Sequence, residues 1–276
     1  MSALTATCAG ASGGRRPNSF AILARIAPTP SGYLHLGNAA NFAANALLAE
    51  RYCNGKLLLR IDDLDRARFR PEYLQDVFEV LDWLGIRPTI GPVHAQDFEQ
   101  HWSQELRLPR YGVALEKLFT CGPAKVFACP CSRKQLKDGI HAYDCPTASL
   151  SLERPGVAWR VNTRGTALHA RMPDFVVRKK DGRPSYQLAC TVDDLHFGVT
   201  HCARGEDLRD STEAQAIVSD LLGYPPLHER ILFVHHPLVR DGKWKLSKSQ
   251  DAPPLRQAGV IREEVFALAR KWLATP

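Results

Sequence analysis

The sequence has 276 residues, 45% of them hydrophobic and 24% charged, so it can build a globular core that needs no disulfide bonds. It contains no uninterrupted run of 18 apolar residues, which excludes a transmembrane helix and with it a place in the membrane. The formal net charge of +7 favours a polyanionic partner such as nucleic acid or a nucleotide, although many proteins carry this charge without binding RNA.

The first 20 residues are small, polar and rich in glycine and serine, which predicts a disordered N-terminal extension. The twin arginine Arg15-Arg16 is a feature of export signals, but the apolar stretch "FAILARIAP" behind it is short and Arg25 interrupts it. That stretch is better interpreted as a first core strand, so the expected compartment is the cytoplasm. Eight cysteines there indicate thiols or metal ligands rather than disulfides.

Strand and helix patterns alternate in the first part of the chain. The turn "PTPSGYLHLGN" leads from the first strand into the alanine-rich helix "NAANFAANALLAERY", and "KLLLRID" has the apolar character of a parallel strand buried on both faces. A second helix is predicted to begin at Pro71 and to end at Gly85. This order predicts an α/β fold with a Rossmann-like, doubly wound parallel sheet.

The middle of the chain has a different character, because cysteines, prolines and short strands dominate and a hairpin is expected about Asp181-Gly182. We interpret this part as a small subdomain inserted between two halves of the sheet. The predicted division is an extension at 1–20, a first half of the sheet at 21–108, the insertion at 109–184, a second half at 185–250, and a linker with a helix at 251–276.

Two later patterns concern helix ends and faces. Asp210 and Glu213 form the pattern of a capping box at the start of a helix that stops at Gly223. The last helix is amphipathic, and its apolar side is expected to carry Val265, Leu268, Ala269 and Leu273.

The turn "PTPSGYLHLGN" joins a strand to a helix, and in a doubly wound sheet that junction lies at the carboxyl ends of the strands, where ligands bind. Gly32 and Gly37 allow close approach to the backbone, and the start of the helix attracts phosphate. His35 can donate a hydrogen bond to a phosphate oxygen. Taken alone, such a turn is more often structural than functional.

The segment "KLSKS" offers two ammonium groups, Lys245 and Lys248, on one loop. They can converge on a triphosphate and offset the charge that develops when a nucleophile displaces pyrophosphate at phosphorus. A solvated basic loop is the alternative, and it is the better interpretation of an isolated match.

The two segments occur in the order and strand context of the HIGH and KMSKS signatures of class I aminoacyl-tRNA synthetases, with HLGN as the first signature. From residue 22 to about 250 the chain resembles the glutamyl branch of that class. The matching segments are "RIAPTPSGYLHLGNA", "LLLRIDDLDRAR", "YQLACTVDDLHFGVTHCARGEDLRDSTEAQ" and "KLSKS". The resemblance implies ATP as a substrate, with Mg²⁺ bridging its phosphates, and glutamate whose carboxylate attacks the α-phosphate without a general base.

The resemblance implies a glutamate site. Tyr186 and Arg204 match substrate-contacting residues of the family, and Asp62 matches the acidic residue, usually glutamate, that binds the substrate ammonium. Arg25 offers a planar fork to a carboxylate and disfavours neutral glutamine, with a surface salt bridge as the alternative. The first-strand segment that holds the substrate corresponds to Arg25, Ile26, Ala27, Pro28 and Thr29.

Aspartate at position 62 is one methylene shorter than glutamate, so that either a water intervenes at the ammonium or the pocket tightens. Its neighbours Asp63 and Asp65 are expected to cap the chain or to pair with arginines. The candidate partners are Arg60, Arg66 and Arg68.

The resemblance also implies an ATP site at the two signatures. The residues that match ATP-binding positions are His35, Gly37, Asn38 and Lys248. The residues that we expect to carry catalysis, by position and charge, are His35, Asn38, Lys245 and Lys248.

The segment "CPCSRKQLKDGIHAYDC" contains the pair Cys129 and Cys131, with Cys145 fourteen residues behind them. Three thiolates and one further ligand make a structural zinc site, and free core thiols are the alternative. This insertion resembles that of the glutamyl-Q tRNA(Asp) synthetases, a branch reduced to the catalytic core, which carry C-x-C, a tyrosine and a cysteine there.

By that resemblance Tyr143 is the fourth ligand of one structural Zn²⁺. The last cysteine of the family pattern falls at Thr147, so Cys145 stands two residues early. A shorter loop can still close on the metal, His141 can replace Tyr143, or the site can be degenerate.

The residues behind "KLSKS" can form a linker and one helix, but not the anticodon-binding domain of a full glutamyl-tRNA synthetase. This short form also resembles the glutamyl-Q family, which activates glutamate without tRNA and esterifies it onto queuosine at the wobble position of tRNA(Asp). The expected partners are L-glutamate, ATP and the anticodon arm of tRNA(Asp) carrying queuosine, and the expected state is a monomer.

Two alternatives stay open. One is a truncated glutamyl-tRNA synthetase that charges the tRNA 3′ end with the help of a separate anticodon-binding partner. The other is a non-catalytic RNA-binding paralogue, against which the intact His35 and Lys248 argue.

Overall fold

The computed structural model describes residues 22–135, 145, 149–241, 244–245, 255 and 259–274, so the predicted N-terminal extension lies outside the described residues. The strands and helices, in chain order, are β1 (Leu23–Ile26), α1 (Leu36–Glu50), β2 (Lys56–Leu59), α2 (Pro71–Leu84), α3 (Ala95–Asp97), α4 (Leu108–Phe119), β3 (Val126–Cys129), β4 (Ala158–Val161), β5 (Val176–Arg178), α5 (Tyr186–Phe197), β6 (His201–Gly205), α6 (Arg209–Leu221), α7 (Leu227–Arg230), β7 (Leu232–His236), β8 (Arg240–Asp241), β9 (Trp244–Lys245) and α8 (Arg262–Ala274). Within these ranges, no helix has both the length and the hydropathy that a membrane span requires.

Four parallel strands form the central sheet in the spatial order β2-β1-β6-β7. Ala24 of β1 is paired with Leu57 of β2 on one side and with His201 of β6 on the other. Strands from distant parts of the sequence therefore lie side by side at the centre of the sheet, and their carboxyl ends form the edge where ligands bind in open α/β sheets. The predicted Rossmann-like parallel sheet is confirmed.

Helix α1 packs closely on the sheet because most of its buried face consists of alanine. Asn45 is the polar side chain on that face, and it binds the main chain of β6. Its Nδ2 donates to the carbonyl of Ala203 at 2.9 Å, and its Oδ1 accepts from the Ala203 N–H at 2.8 Å. These bonds hold α1 in register with β6, which places the start of α1 beside the ligand edge of the sheet. On its far side α1 packs against α8.

Three local signals in the sequence are confirmed. Pro71 is the first residue of α2, and Gly85 ends that helix in the left-handed conformation with φ of 69°. The hairpin about Asp181-Gly182 is also present, because Lys179 N–H donates to the carbonyl of Arg183 and Gly182 has φ of 86°.

The predicted capping box at the start of α6 is wrong. The helix begins at Arg209, and no side chain caps it. Instead Asp210 and Glu213 both bind Arg171, with nitrogen–oxygen distances of 2.6 Å in each pair. A guanidinium on a neighbouring segment therefore competes successfully with the helix backbone for both carboxylates.

The insertion forms a second, antiparallel sheet in the order β3-β4-β5. Val126 is paired with Val161, and Trp159 with Arg178. Together with α4, α5 and α6 this sheet encloses a hydrophobic core of its own, separate from the core between the parallel sheet, α1, α2 and α8. The sheet falls within the range 109–184 that we assigned to the insertion, whose boundaries stay a prediction.

Candidate functional site

A cavity of about 360 Å³ opens at the carboxyl ends of β1, β6 and β7, beside the start of α1. Ile26 does not reach it, because its side chain is fully buried in the core, and Thr29 lines a neighbouring groove instead. The predicted glutamate and ATP residues that line the cavity are Arg25, Ala27, Pro28, His35, Gly37, Asn38, Asp62, Tyr186 and Arg204.

Four charged side chains form one buried ion-pair cluster at the cavity: Arg25, Arg60, Asp62 and Asp194. Asp194 Oδ1 accepts from Arg25 Nε at 2.8 Å and from Arg60 Nη1 at 2.6 Å. Arg60 also holds both oxygens of Asp62, at 2.7 Å from Nε and 3.0 Å from Nη2. Each of these side chains is at most 7% exposed, which excludes a surface salt bridge for Arg25.

The ion pairs favour the charged forms of Asp194 and Arg60. Burial alone would raise the pKa of Asp194, but the guanidinium groups of Arg25 and Arg60 outweigh burial and lower that pKa. Burial alone would lower the pKa of Arg60, but the carboxylates of Asp62 and Asp194 raise it. Two cations and two anions cancel, so the cluster contributes no net charge to the cavity.

The predicted partners of Asp63 and Asp65 are partly confirmed. Asp63 pairs with Arg66 at 3.0 Å, and Asp65 pairs with Arg68 at 2.6 Å. Arg60 binds neither of them, because its guanidinium is fully engaged by the ion-pair cluster.

Arg204 is a buried cation without a carboxylate partner among the described residues, and it is only 3% exposed. Its donors reach neutral oxygens: Nη1 lies 3.2 Å from Thr212 Oγ1 and 2.9 Å from Gln215 Oε1, and Nη2 lies 3.1 Å from the hydroxyl of Tyr186. Its Nε is buried and has no hydrogen-bond partner in the part of the chain that the structure describes. A charge buried in this way is costly unless an anion joins it, so the cavity is built for an anionic ligand.

The start of α1 is fixed by a reciprocal capping box. His35 Nδ1 accepts from the Gly37 N–H, and Asn38 Oδ1 accepts from the His35 N–H, both at 3.1 Å. A Cβ on Gly37 would stand 3.0 Å from His35 Cε1, so this tight turn favours glycine. Because Nδ1 is an acceptor, a neutral His35 carries its proton on Nε2, and the cavity wall gains a donor beside the positive end of the helix dipole.

A larger groove of about 830 Å³ adjoins the cavity, and Asp62 and Tyr186 line both. It runs between the parallel sheet and the insertion, whose side contributes three cations, Arg160, Lys179 and Lys180, and one carboxylate, Asp181. Arg160 donates to the carbonyl of Asp174 at 2.6 Å, its Nε has no hydrogen-bond partner, and no carboxylate pairs with it among the residues that the structure describes. The groove therefore leads from the cavity past a basic wall.

Cys129, Cys131 and Cys145 converge in a buried cluster beside Phe127, with their sulfur atoms all within 4.8 Å of one another. Cys131 and Cys145 Sγ lie 3.5 Å apart. Tetrahedral zinc with bonds of about 2.3 Å holds its sulfurs about 3.8 Å apart, so the three thiols fit such an ion. Burial and the two neighbouring thiols raise the pKa of Cys145, which a bound cation would reverse.

Several predicted residues cannot be placed. Tyr143 and His141 lie outside the described residues, as does Lys248, and only the backbone of Lys245 is described, in the short strand β9. Their roles stay predictions.

Sequence reasoning missed Asp194, although it anchors the ion-pair cluster. Its signal is the pair Asp193-Asp194 inside the apolar helix "LACTVDDLHF", where unpaired carboxylates would be costly. Both aspartates are buried and bound to arginine, Asp193 to Arg107 at 3.0 Å.

Comparison with known proteins supports the likeness seen in the sequence. Residues 21–153 and 144–272 match the family model described as tRNA synthetases class I (E and Q), catalytic domain. A glutamyl-Q tRNA(Asp) synthetase from Pseudomonas putida is 35% identical over 254 residues, which cover 86% of this chain and 80% of that protein. One from Pseudomonas paraeruginosa is 37% identical over 254 residues, covering 86% and 81% respectively.

Among solved structures, the glutamate-tRNA synthetase from Elizabethkingia anophelis superimposes with a TM-score of 0.66 at 24% identity. The match covers 83% of this chain and 53% of that one, so the chain spans about half the length of this structural relative. At this level of identity the likeness concerns the fold.

Proposed function

Since the chain belongs to the class I tRNA synthetases of the glutamyl branch, and within them to the glutamyl-Q tRNA(Asp) synthetases, we propose that it activates L-glutamate with ATP and transfers the glutamyl group to queuosine in tRNA(Asp). Its curated relatives with this name are matched over about 80% of their own length. The observation that carries the proposal for this chain is the buried, unpaired charge of Arg204.

Glutamate supplies the anion that Arg204 lacks. The side-chain carboxylate of glutamate, placed beside Arg204 and the hydroxyl of Tyr186, would receive a charge-assisted hydrogen bond, and the guanidinium would gain a counter-charge in direct contact. Glutamine would bring only a neutral amide and leave the buried cation uncompensated, so the site selects the acid by the cost of an unpaired charge.

Asp62 is the group that we assign to the substrate ammonium. Arg60 occupies one lone pair on each carboxylate oxygen, which leaves further lone pairs for a ligand in the cavity. Arg60 also fixes the direction of the short aspartate side chain. Through Asp194 it links Asp62 to Arg25 on β1, so the ammonium site and the first strand form one rigid unit.

The start of α1 is the proposed phosphate site. His35 and Asn38 hold each other in the capping box, which aims the N-terminus of α1 and the Nε2 proton of His35 at the cavity. The α-carboxylate of glutamate then attacks the α-phosphorus of ATP; the new carboxyl oxygen–phosphorus bond forms as the bond to pyrophosphate breaks. No residue has to remove a proton, because the nucleophile is already ionised. Lys245 and Lys248 are assigned to the phosphates by their place in the sequence, and Mg²⁺ carried by ATP supplies further charge neutralisation.

The basic groove is the proposed entrance for the anticodon arm of tRNA(Asp). Arg160, Lys179 and Lys180 offer cations along one wall, and polyanionic RNA is held mainly by such phosphate contacts. Since the groove and the cavity share Asp62 and Tyr186, a base at the inner end of the groove would lie next to the activated glutamate.

One Zn²⁺ is proposed for the cysteine cluster, with Tyr143 as the fourth ligand. The fit of three buried sulfurs supports a structural ion that ties together the end of β3 and the segment around Cys145. Lys180 donates to the carbonyl of Pro130, between two of the cysteines, at 2.5 Å, so the metal site would also support the basic wall of the groove.

Two assays test the activity. Purified protein given glutamate, ATP and labelled pyrophosphate is expected to form labelled ATP without tRNA, and glutamine is expected to give no exchange. In the second assay, labelled glutamate is expected to attach to tRNA(Asp) that contains queuosine and not to the unmodified transcript. Nuclease digestion of the product should leave the label on the queuosine nucleoside, whose cis-diol is then no longer open to periodate.

Three results would contradict the proposal. Exchange that requires tRNA, or that prefers glutamine, would exclude the proposed activation step. Label on the 3′-terminal adenosine would show that the chain charges the acceptor end instead. Absence of both reactions in a folded protein would favour a non-catalytic RNA-binding paralogue.

A further inference from the structure

The C-terminal helix α8 reaches the wall of the cavity through a stacked pair of rings. Trp272 of α8 lies flat on His236 at the end of β7, with the ring centroids 3.8 Å apart and the planes inclined by 4°. The two residues are 6% and 5% exposed. The predicted apolar side of α8 is confirmed, because Val265, Leu268, Ala269 and Leu273 all pack on the core, and Trp272 is a further buried residue on this side.

Hydrogen bonds fix the orientation of the His236 ring. Its Nδ1 lies 3.0 Å from the carbonyl of Pro237, which can only accept, so Nδ1 carries the proton. Its Nε2 is therefore an acceptor, and it lies 2.9 Å from Nδ2 of Asn41. Asn41 Nδ2 gives its other hydrogen to the carbonyl of Ala203 at 2.9 Å. With this tautomer, each of the three hydrogen bonds joins one donor to one acceptor.

The contact between His236 and Asn41 spans the nucleotide end of the cavity. Asn41 follows Asn38 by about one turn of α1, and His236 ends the strand on the opposite side. Both line the cavity, together with His35. The arrangement joins β7 to the first turns of α1, so it determines how far apart these two walls stand.

We propose that Trp272 is a positioning residue for the nucleotide: by stacking on His236 it holds the imidazole in the plane in which Nε2 meets Asn41, and thereby sets the width of the phosphate end of the cavity. The identification of the nucleotide as ATP rests on the proposed function. Trp272 contacts neither the cavity nor the substrate, so its effect passes through His236. Among the elements that the structure describes, α8 is the helix that follows the "KLSKS" segment in the chain.

Direct binding of ATP to the full-length protein, measured by titration calorimetry, tests the proposal in three variants. W272L removes the flat ring and is expected to weaken ATP binding about tenfold. W272F keeps an aromatic face and is expected to stay within about twofold of the wild type. L268A removes apolar contacts from the same helix and keeps the Trp272 ring that stacks on His236, so it is expected to lower Tm while leaving ATP binding unchanged.

Exchange kinetics supply the second measurement. For W272L the KM for ATP is expected to rise about tenfold, while kcat and the KM for glutamate change less than about twofold. Equal effects of W272L and L268A on ATP binding would overturn the proposal, as would a rise in the KM for glutamate as large as that for ATP. If the wild type bound ATP but gave no glutamate-dependent exchange, the proposed function would fail while the binding series would still decide the role of Trp272. A wild type that did not bind ATP would overturn both.

Discussion

The hydroxyl of Tyr186 lies 3.1 Å from Nη2 of Arg204, at the edge of a guanidinium that is buried among neutral acceptors. Arg25, only one strand away, is equally buried but has its counter-charge in Asp194. The two arginines therefore differ in their electrostatic surroundings. Arg25 has a carboxylate in direct contact, whereas Arg204 has none among the described residues. This contrast gives two predictions that separate binding from stability.

Replacement of Arg204 by glutamine is expected to raise the KM for glutamate about 100-fold, because the charge-assisted bonds to the substrate carboxylate are lost. The KM for ATP should stay within about twofold, because His35 and Asn38 are untouched. Tyr186→Phe removes one hydroxyl and should cost about tenfold in the KM for glutamate. Pyrophosphate exchange at varied glutamate and ATP measures all three. Equal rises in both KM values for R204Q would show that Arg204 supports the cavity as a whole.

The free energy of unfolding is expected to depend on Arg25 and not on Arg204. Arg25→Met leaves Asp194 with one partner fewer in a buried site and should lower the free energy of unfolding by about 3 kcal/mol. Arg204→Met removes a buried charge that has no direct ion pair among the described residues, so the free energy of unfolding should be unchanged or higher. Urea denaturation of the matched pair, without substrate, makes the comparison. Similar losses in both variants would mean that Arg204 has a compensating partner in the free protein.

The cysteine cluster is expected to hold one zinc ion per chain. Protein purified from zinc-containing medium should show this ratio by elemental analysis, and Cys131→Ser should lose the metal and lower Tm, because the remaining ligands cannot complete the site. Cys53→Ser is the matched control, since Cys53 is exposed and lies outside the cluster. Tyr143→Phe tests the fourth ligand. Zinc retained at full occupancy in C131S would remove the cluster from consideration as the metal site.

Acid is expected to destabilise the protein through His235. Burial first, and then the charges of Arg209 and Arg204, lower the pKa of His235 to about 4, against about 6.5 for histidine in an unfolded chain. Between these two values the unfolded state binds the proton and the folded state does not, so stability is complete above about pH 6.5 and is lost as the pH falls toward 4.

Thermal denaturation between pH 7.5 and 5 measures this effect. Burial likewise lowers the pKa of His201 and His236, so the wild-type Tm should fall steadily with pH, and H235Q should fall less steeply. The exposed His228, replaced by glutamine, should keep the wild-type slope. An H235Q variant with an unchanged slope would show that another group controls the acid response.

Features that depend on neighbouring residues could be predicted from the sequence, and those that depend on distant partners could not. The strand before "PTPSGYLHLGN", the helix after it and the stop at Gly85 follow from local propensities and glycine conformation. The partner of Arg60 could not be predicted, because Asp194 lies 134 residues further along the chain. For the same reason Asp210 and Glu213 have the form of a cap in the sequence but bind Arg171 in the fold.

In the candidate site, too, residues in one continuous segment could be assigned from the sequence, and residues brought together by the fold could not. The residues of the first signature could be assigned because the turn and the helix are continuous in sequence, and they lie together at the cavity. Trp272 could not be assigned, because helical periodicity gives only the approximate direction of a side chain, and the stacking on His236 depends on how α8 is placed against β7.

The long separations inside the ion-pair cluster also bear on synthesis of the chain. Arg25 and Arg60 leave the ribosome well before their common counter-ion, which follows Arg25 by 169 residues. In a nascent first half, Arg25 in β1 and Arg60 just after β2 lack the carboxylate of Asp194, and burying both guanidinium groups without it would be costly. A fragment that ends before Asp194 would lack the carboxylate that pairs with both Arg25 and Arg60 beside the central sheet.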